Sequence, residues 1–299
     1  MKKRLTFLFL IALLIGVFLF FRQPIIDSFY QSDVQLTEQA KAMIVLDAED
    51  GRILFQQNHQ EARPIASMSK MMTQYIVLHA IDSGVIQWDQ QYTPSEAVLQ
   101  IAEHPRFSNL QMVRNQSYSV RELFTAMTVI SANDATVALA EMVGGTEADF
   151  VPMMNEQAAQ MGLQHTIFFN ATGLDGPYVG KSAGDTNRAS AHDVAILAQK
   201  LLTNYPKILD FTTMSHFTAS SQQTFWNTNL MLPNMEQAFN GIDGLKTGYT
   251  DLAGSCFTST GIFNGRRIIT VVMDVEPNGD DDISPKFTLT RELIEQTAM

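Results

Sequence analysis

The chain has 299 residues, of which 45% are hydrophobic and 17% charged, a composition that suits a globular domain with a sizeable core and excludes a disordered chain. Its 20 basic and 31 acidic residues give a net charge of −11, which argues against nucleic acid as a partner. The single cysteine, Cys256, excludes an internal disulfide, and the 6 histidines show no metal-binding spacing, so we predict neither a metal nor a cofactor.

The N-terminus has the pattern of a membrane segment. Basic residues at positions 2–4 precede an apolar run over 5–21, which at about 1.5 Å per residue would be about 25 Å long. Basic residues before such a run predict a cytoplasmic N-terminus and an extracytoplasmic remainder. We therefore expect a single-pass anchor in the cell membrane (1–21), a tether (22–39) and a folded domain (40–299). A cleaved signal peptide with secretion of the domain is the alternative, although no small-x-small cleavage site directly follows the run.

The first elements predicted in the domain are a β-hairpin and a helix. Apolar-rich residues 42–48 and 52–56 are joined by a Glu-Asp-Gly turn, which is typical of paired strands. Residues 64–84 fit a buried helix, because a proline precedes its start, a glycine ends it and apolar side chains occur nearly all round it.

Ser67 and Lys70 lie three residues apart at the start of this helix and so on one face, with Cβ atoms about 5–6 Å apart. Apolar surroundings lower the pKa of a lysine, so Lys70 can act as a base toward the Ser67 hydroxyl. Backbone N–H groups at the helix N-terminus would favour a developing oxyanion. The pair predicts a self-activating nucleophile, although about one Ser-x-x-Lys pattern is expected by chance in a chain of this length.

Helical patterns dominate residues 93–210, and strand patterns return at Gly244. Strands at both ends with helices between predict an α/β (α+β) fold, with one antiparallel sheet of about five strands from both chain ends and a helical lobe inserted between them. The active site is expected where lobe and sheet meet. Asn133 is expected to cap its helix. The predicted helices cover 119–129, 133–144, 147–161, 192–202 and a closing segment from about 284, and the later strands cover 244–250, 254–260 and 266–275. An Asn-Gly turn at 264–265 is expected between the last two strands.

Two further motifs follow Ser67 and Lys70 along the chain. These are Ser131-Ala132-Asn133 and Lys246-Thr247-Gly248, and each occurs once. The ordered set Ser-x-x-Lys, Ser-x-Asn and Lys-Thr-Gly is the signature of penicillin-recognising serine enzymes, the β-lactamases and penicillin-binding proteins.

Longer segments around these motifs resemble the low-molecular-weight penicillin-binding proteins, which are D-alanyl-D-alanine carboxypeptidases. The resemblance extends from about residue 40 nearly to the end of the chain, and it implies a β-lactamase/DD-peptidase-like fold. It also implies a serine-type carboxypeptidase that trims the terminal D-Ala from peptidoglycan stem pentapeptides and is inhibited covalently by β-lactams. The matching segments are residues 64–73, 129–141, 154–156, 170–175 and 244–254.

The same resemblance implies four catalytic residues. Ser67 would attack the carbonyl of the terminal D-Ala–D-Ala bond while Lys70 takes its proton. Ser131 would relay a proton to the leaving D-alanine, and Asn133 would orient Lys70 and bind the substrate amide. Water would then release the acyl-enzyme. Residues 170–175 are expected to form a loop that borders the site without contributing catalytic groups.

Substrate-binding residues are implied on the strand that carries the third motif. Lys246 and Thr247 would hold the terminal carboxylate, which needs a cation and a hydrogen-bond donor. Gly248 would let the substrate pair along the strand edge without a side-chain clash. The backbone N–H groups of Ser67 and Tyr249 would form the oxyanion hole.

Two other functions stay open. A class A β-lactamase would need a glutamate to activate the deacylating water. Glu236 with Asn240 has the right spacing but lies too close to Lys246, and residues 165–185 contain no equivalent. Slow release of bound penicillin is therefore expected. The second alternative is a non-catalytic, membrane-tethered scaffold that binds peptidoglycan or division partners, but such a scaffold would have no need of an intact set of catalytic residues.

Overall fold

The domain is built around the antiparallel sheet that the strand patterns predict. The computed structural model describes residues 39–276 and 284–299, so the predicted anchor, the tether up to residue 38 and the loop at 279–282 lie outside the described residues. The strands are, in chain order, β1 (Ala40–Asp47), β2 (Ile53–Gln57), β3 (Arg63–Pro64), β4 (Gln91–Tyr92), β5 (Tyr118–Ser119), β6 (Arg188–Ala189), β7 (His216–Thr218), β8 (Thr224–Trp226), β9 (Ile242–Thr250), β10 (Gly254–Phe263) and β11 (Arg266–Val275).

The main sheet has five strands in the order β2-β1-β11-β10-β9, so the two chain ends meet at its centre. β1 pairs with β11 from Ala40 opposite Val275 to Asp47 opposite Ile268. The predicted Asn-Gly turn joins β10 to β11, with Phe263 paired to Arg266. The predicted fold class is confirmed. β9 forms one edge of the sheet, and an edge strand presents unpaired backbone groups to a ligand or another segment.

Helices surround the sheet and form the lobe between its two halves. They are α1 (Lys70–Asp82), α2 (Glu96–Ala102), α3 (Val120–Val129), α4 (Asn133–Gly144), α5 (Glu147–Gln160), α6 (Ala191–Asn204), α7 (Leu209–Thr212) and α8 (Pro285–Thr297). Residues 39–276 and 284–299 contain no helix with the length and apolar character needed to cross a membrane.

Alternation along the strands divides the core between the two faces of the sheet. Successive side chains of a strand point to opposite faces. Ile44 and Cys256 are fully buried in the core that also contains Val194 of α6. On β10 the next residue, Phe257, packs edge to face on Phe287 of α8, with ring centroids 5.1 Å apart. The sheet is therefore covered on both faces, which explains why nearly every residue of β1 is buried.

The chain differs from the predicted helix at 64–84 at its N-terminal end. Pro64 pairs with Arg188 in a short two-stranded sheet, and α1 begins only at Lys70. Residues Ala66–Ser69, which we call the Ser67 turn, form a 3₁₀ turn between them. A 3₁₀ turn has about three residues per turn, so the i and i+3 side chains are nearly eclipsed. The local geometry therefore brings Ser67 and Lys70 together even though the α-helix starts later than predicted.

Candidate active site

Lys70 is held by three groups from separate parts of the chain. Its Nζ lies 2.8 Å from Ser67 Oγ, and it donates to Asn133 Oδ1 at 2.8 Å and to the Thr172 carbonyl oxygen at 2.7 Å. The lysine is fully buried, whereas Ser67 is partly exposed. The expected contact between Ser67 and Lys70 is present, and an outside molecule can reach the hydroxyl.

The surroundings of Lys70 disfavour its charged form. Burial removes water from the ammonium and holds its pKa well below the ordinary value. The positive charge of Lys246 lowers the pKa further, while the carboxylates of Glu147 and Asp134 act in the opposite direction. A lysine in this environment exists partly as the neutral amine at a pH where an exposed lysine would be protonated, which is the form that can accept a proton.

Asn133 and Ser131 lie at the start of α4, within the second motif. The prediction that Asn133 caps this helix was wrong: Ala132 occupies the N-cap position, and no side chain caps the helix. The Asn133 amide instead accepts from Lys70 and donates through Nδ2 to the Ser108 carbonyl at 3.1 Å. Both ends of the amide are engaged in this way, which holds the Asn133 oxygen against the Lys70 Nζ.

Ser131 adopts a backbone conformation that is uncommon for serine. Its φ is +61°, in the left-handed region. The side chain is buried, and in the part of the chain that the structure describes its Oγ has no hydrogen-bond partner. Leaving a buried hydroxyl unpaired costs about 1–3 kcal/mol, so Ser131 is available to a ligand at the expense of stability.

The third motif lies on the edge strand β9. Lys246 is almost completely buried and donates to the Thr247 carbonyl at 3.0 Å, and burial lowers the pKa of Lys246 to about 7, with a smaller contribution from the charge of Lys286. Thr247 Oγ1 lies 2.6 Å from Thr228 Oγ1. Tyr249 points outward, and 61% of its surface is exposed.

Two glycines allow neighbouring segments to approach the Ser67 turn closely. A Cβ on Gly248 would lie 3.1 Å from the Ile65 carbonyl oxygen and 3.2 Å from the Ala66 Cβ, so β9 packs directly against the turn. A Cβ on Gly173 would lie 1.9 Å from the Ala66 carbonyl oxygen, and its φ of +84° favours glycine in any case. The structure thus explains Gly248 by its contact with the turn, in addition to any role in substrate binding.

The loop at 170–175 borders the site, as expected, and supplies a backbone group that holds Lys70. Its Thr172 carbonyl is one of the three partners of Lys70. The loop is fixed by Asn170, whose Oδ1 accepts from the backbone N–H groups of Thr172 at 3.1 Å and Gly173 at 2.6 Å. A backbone carbonyl leaves no trace in the side-chain pattern, and only the Asn-x-Thr-Gly sequence, typical of a tight polar turn, could have indicated it.

Glu147 was also missed by the sequence interpretation. Its Oε1 accepts from the Ala171 N–H at 2.8 Å, and burial raises its pKa. Glu236, which was considered for a β-lactamase site, is exposed. Within residues 39–276 and 284–299, the structure contains no group of three or more His, Cys, Asp or Glu side chains placed to hold a metal ion.

The geometry and the motifs agree with the result of a family comparison. The profile of the peptidase S11 family, D-alanyl-D-alanine carboxypeptidase, matches residues 30–277. The chain belongs to this family. The resemblance drawn from the motifs is confirmed.

Curated members of the family include two relatives with about one third of their residues identical. D-alanyl-D-alanine carboxypeptidase DacF from Bacillus subtilis is 32% identical over 87% of this chain and 64% of its own length. DacD from Escherichia coli is 33% identical over 79% of this chain and 58% of its own length. The chain thus spans about three fifths of the length of these relatives.

Solved structures of the family have the same fold. The crystal structure of PBP3 from Streptococcus pneumoniae, described as a peptidoglycan synthesis regulatory factor, has a TM-score of 0.83 at 35% identity and covers 87% of this chain and 73% of its own. Penicillin-binding protein D2 from Listeria monocytogenes in its cefotaxime-bound form has a TM-score of 0.74 at 33% identity, with coverage of 86% and 96%.

Proposed function

We propose that this protein is a serine-type D-alanyl-D-alanine carboxypeptidase that removes the terminal D-Ala from peptidoglycan stem pentapeptides through a Ser67 acyl-enzyme. The observation that carries the proposal is the 2.8 Å contact between Ser67 Oγ and the Nζ of a buried lysine whose pKa is held low. Family membership supports the same reaction.

The partners of Lys70 favour its action as the base that activates Ser67. A neutral amine has two N–H donors and one lone pair. Asn133 Oδ1 and the Thr172 carbonyl can only accept, so they take the two N–H groups and leave the lone pair for the Ser67 O–H. As the Ser67 oxygen attacks the scissile carbonyl, its proton passes to Lys70. The oxyanion is received by the backbone N–H groups of Ser67 and Tyr249, each typically worth a few kcal/mol.

Collapse of the tetrahedral intermediate breaks the bond to the terminal D-alanine, whose amine needs a proton. Ser131, buried and without a protein partner among the described residues, is the proposed donor, and the proton that Lys70 took from Ser67 then passes to Ser131 in place of the one given up. Lys246 and Thr247 bind the terminal carboxylate through a charged group and a hydroxyl donor. Water then attacks the ester while Lys70 takes one of its protons. Lys70 returns that proton to Ser67 Oγ as the ester bond breaks, and the shortened peptide leaves with a free carboxyl group.

A β-lactam should acylate the same serine, because its strained amide and its carboxylate occupy the same positions as those of the substrate. The Listeria relative was solved in cefotaxime-bound and ampicillin-bound forms. The exposed Glu236 gives no support to the glutamate-activated water of a class A β-lactamase. We therefore expect a long-lived adduct on Ser67, and rapid multiple turnover of penicillin would favour the β-lactamase alternative.

The deciding experiment measures D-alanine released from a stem pentapeptide ending in D-Ala–D-Ala. Ser67→Ala should abolish release and also adduct formation with fluorescent penicillin. Ser69→Ala is a matched control, because Ser69 lies in the same turn and its buried Oγ has no partner within the described ranges. It should keep near-wild-type activity. If the wild type releases no more D-alanine than Ser67→Ala, the proposed enzymatic activity is rejected and the scaffold alternative is favoured.

We also propose that residues 5–21 anchor the protein in the cell membrane, with the catalytic domain on the extracytoplasmic side. The support is the apolar run behind three basic residues together with a substrate that lies in the cell envelope. The full chain should stay in the membrane fraction after alkaline extraction, and deletion of residues 1–21 should release it. Recovery of a shortened protein from the medium would support signal cleavage.

A further inference from the structure

A cavity of about 190 Å³ adjoins the candidate active site where β9 ends. Its apolar lining comes from Phe107, Leu174 and Tyr249, and one arginine and one aspartate, Arg106 and Asp251, also line it. A larger cavity of about 450 Å³, lined by α2 residues and residues 103–114, contains none of the predicted site residues. The smaller cavity is lined by Tyr249 and Thr250 of β9, so a substrate bound along this strand would meet it.

The proposed function, on which this inference rests, fixes the direction of the substrate. With the terminal carboxylate at Lys246 and Thr247 and the scissile carbonyl at the Tyr249 N–H, the substrate runs antiparallel to β9. The substrate residues before the scissile bond then extend along β9 toward Thr250 and Asp251, at about 3.3 Å per residue. The residue before the scissile D-alanine, the third of the stem peptide, comes to lie beside the cavity.

The two charges of the cavity face a common point. Arg106 donates to the Tyr178 hydroxyl, and that hydroxyl lies 3.4 Å from Asp251 Oδ2. Neither Arg106 nor Asp251 forms an ion pair with any other residue of the described ranges. A guanidinium and a carboxylate separated by one hydroxyl are spaced to receive a group that carries both a carboxylate and an ammonium.

The surrounding rings keep the charges in place. Phe107 lies edge-on to Tyr178 with centroids 5.7 Å apart, and His104 stacks on Phe107 at 3.7 Å. The Arg106 guanidinium also lies 5.0 Å from the centre of the Tyr178 ring. The apolar lining suits the methylene chain of a long side chain, and Arg106 and Asp251 supply charges for its polar end.

We propose that this cavity binds the side chain of the third stem residue and selects one that ends in an amino-acid group, as in diaminopimelate, over lysine. Arg106 binds the distal carboxylate and Asp251 the distal ammonium. A lysine side chain supplies only the ammonium and leaves Arg106 without a partner. Amidation of the distal carboxylate of diaminopimelate would have the same effect as replacement by lysine.

The test compares D-alanine release from four stem pentapeptides that differ only in the third residue: diaminopimelate, its distal carboxamide, lysine and Nε-acetyl-lysine. Wild type should have the highest kcat/KM for diaminopimelate, by about five- to tenfold over the carboxamide. Arg106→Gln should remove this difference and change the lysine substrate less than about twofold. Asp251→Asn should slow the three substrates with a free ammonium and spare acetyl-lysine. Arg114→Gln is the matched control, because Arg114 pairs with Glu96 at 2.8 Å outside this cavity.

The outcomes separate this inference from the proposed function. Release of D-alanine from all four substrates with the same kcat/KM would overturn the inference while leaving the carboxypeptidase intact. An equal loss on all four in Arg106→Gln would do the same, because it would indicate a general effect on the site. No release from any substrate by wild type would reject the proposed function, and the inference with it.

Discussion

Substitution of Gly173 by alanine tests whether the loop at 170–175 fixes the position of Ser67. The new Cβ would lie 1.9 Å from the Ala66 carbonyl oxygen and 3.0 Å from the Ser67 nitrogen. The Ser67 turn would have to retreat by about 1 Å, and a displacement of that size between reacting groups costs on the order of 100-fold in rate. The φ of +84° adds about 1–2 kcal/mol of backbone strain.

Acylation by fluorescent penicillin under stopped flow measures the rate effect directly, and a thermal melt of the same preparation reports folding. Gly84→Ala and Gly180→Ala are matched controls, because their φ angles are +77° and +70° and an added Cβ meets nothing within 4 Å. They should lose about 1–2 kcal/mol of stability, a few degrees in Tm, and keep the wild-type acylation rate. Gly248→Ala, with contacts of 3.1–3.3 Å, should lie between the two classes.

A wild-type acylation rate in Gly173→Ala would refute this reasoning, since the turn would then tolerate the displacement. If Gly173→Ala fails to fold, Gly248→Ala carries the test. Its milder contact should slow acylation by about tenfold, and an unchanged rate would count against tight positioning of the turn.

Three more outcomes follow from the contacts of the site. Asn133→Asp places a negative charge 2.8 Å from Lys70 Nζ, so the pH of half-maximal acylation should rise by about one unit or more, and an unshifted pH profile would contradict Lys70 as the base. Because the pKa of Lys246 is about 7 when folded and 10.5 when unfolded, the unfolded state holds more protons between these values. Lys246 should therefore contribute a rise in stability of about 1 kcal/mol per pH unit from pH 7 to 9, and Lys246→Met, followed by chemical denaturation, should reduce the measured slope by that amount. Thr228→Val removes the hydroxyl 2.6 Å from Thr247 and should raise KM a few-fold with little change in Tm, whereas an unchanged KM would exclude a role in carboxylate binding.

The elements that could be predicted were those with a strong local signal. The strand patterns at 254–260 and 266–275 and the Asn-Gly turn between them predicted the hairpin that the structure has. Gly145, with φ +86°, ends α4 at the predicted place. The start of the helix at 64–84 was wrong, because Pro64 pairs with a strand residue more than one hundred positions away, and propensity carries no information about such a partner.

The residues of the candidate site also fall into those that the sequence could indicate and those that it could not. Ser67, Lys70, Ser131, Asn133 and the third motif could be named as candidates because their side chains and spacings are specific, and the structure brings Lys70 into contact with Ser67 and Asn133. The Thr172 carbonyl and Glu147 were missed, since the first is a backbone atom and the second has no distinctive spacing. Asn133 was assigned to a helix cap because an asparagine at a helix start usually has that role, but its oxygen instead accepts from the Nζ of the buried Lys70.

By itself, the sequence determined the family and the fold class, because each depends on residues close together in the chain or on a motif order that chance does not produce. It also supplied the candidates for the reacting side chains. Only the tertiary structure decided why Gly173 and Gly248 must be glycines and which carbonyl holds Lys70. It also decided that Arg106, Tyr178 and Asp251 meet at one cavity. These features depend on the distance between segments about 70 or more residues apart, and that distance is set by the packing of the whole core.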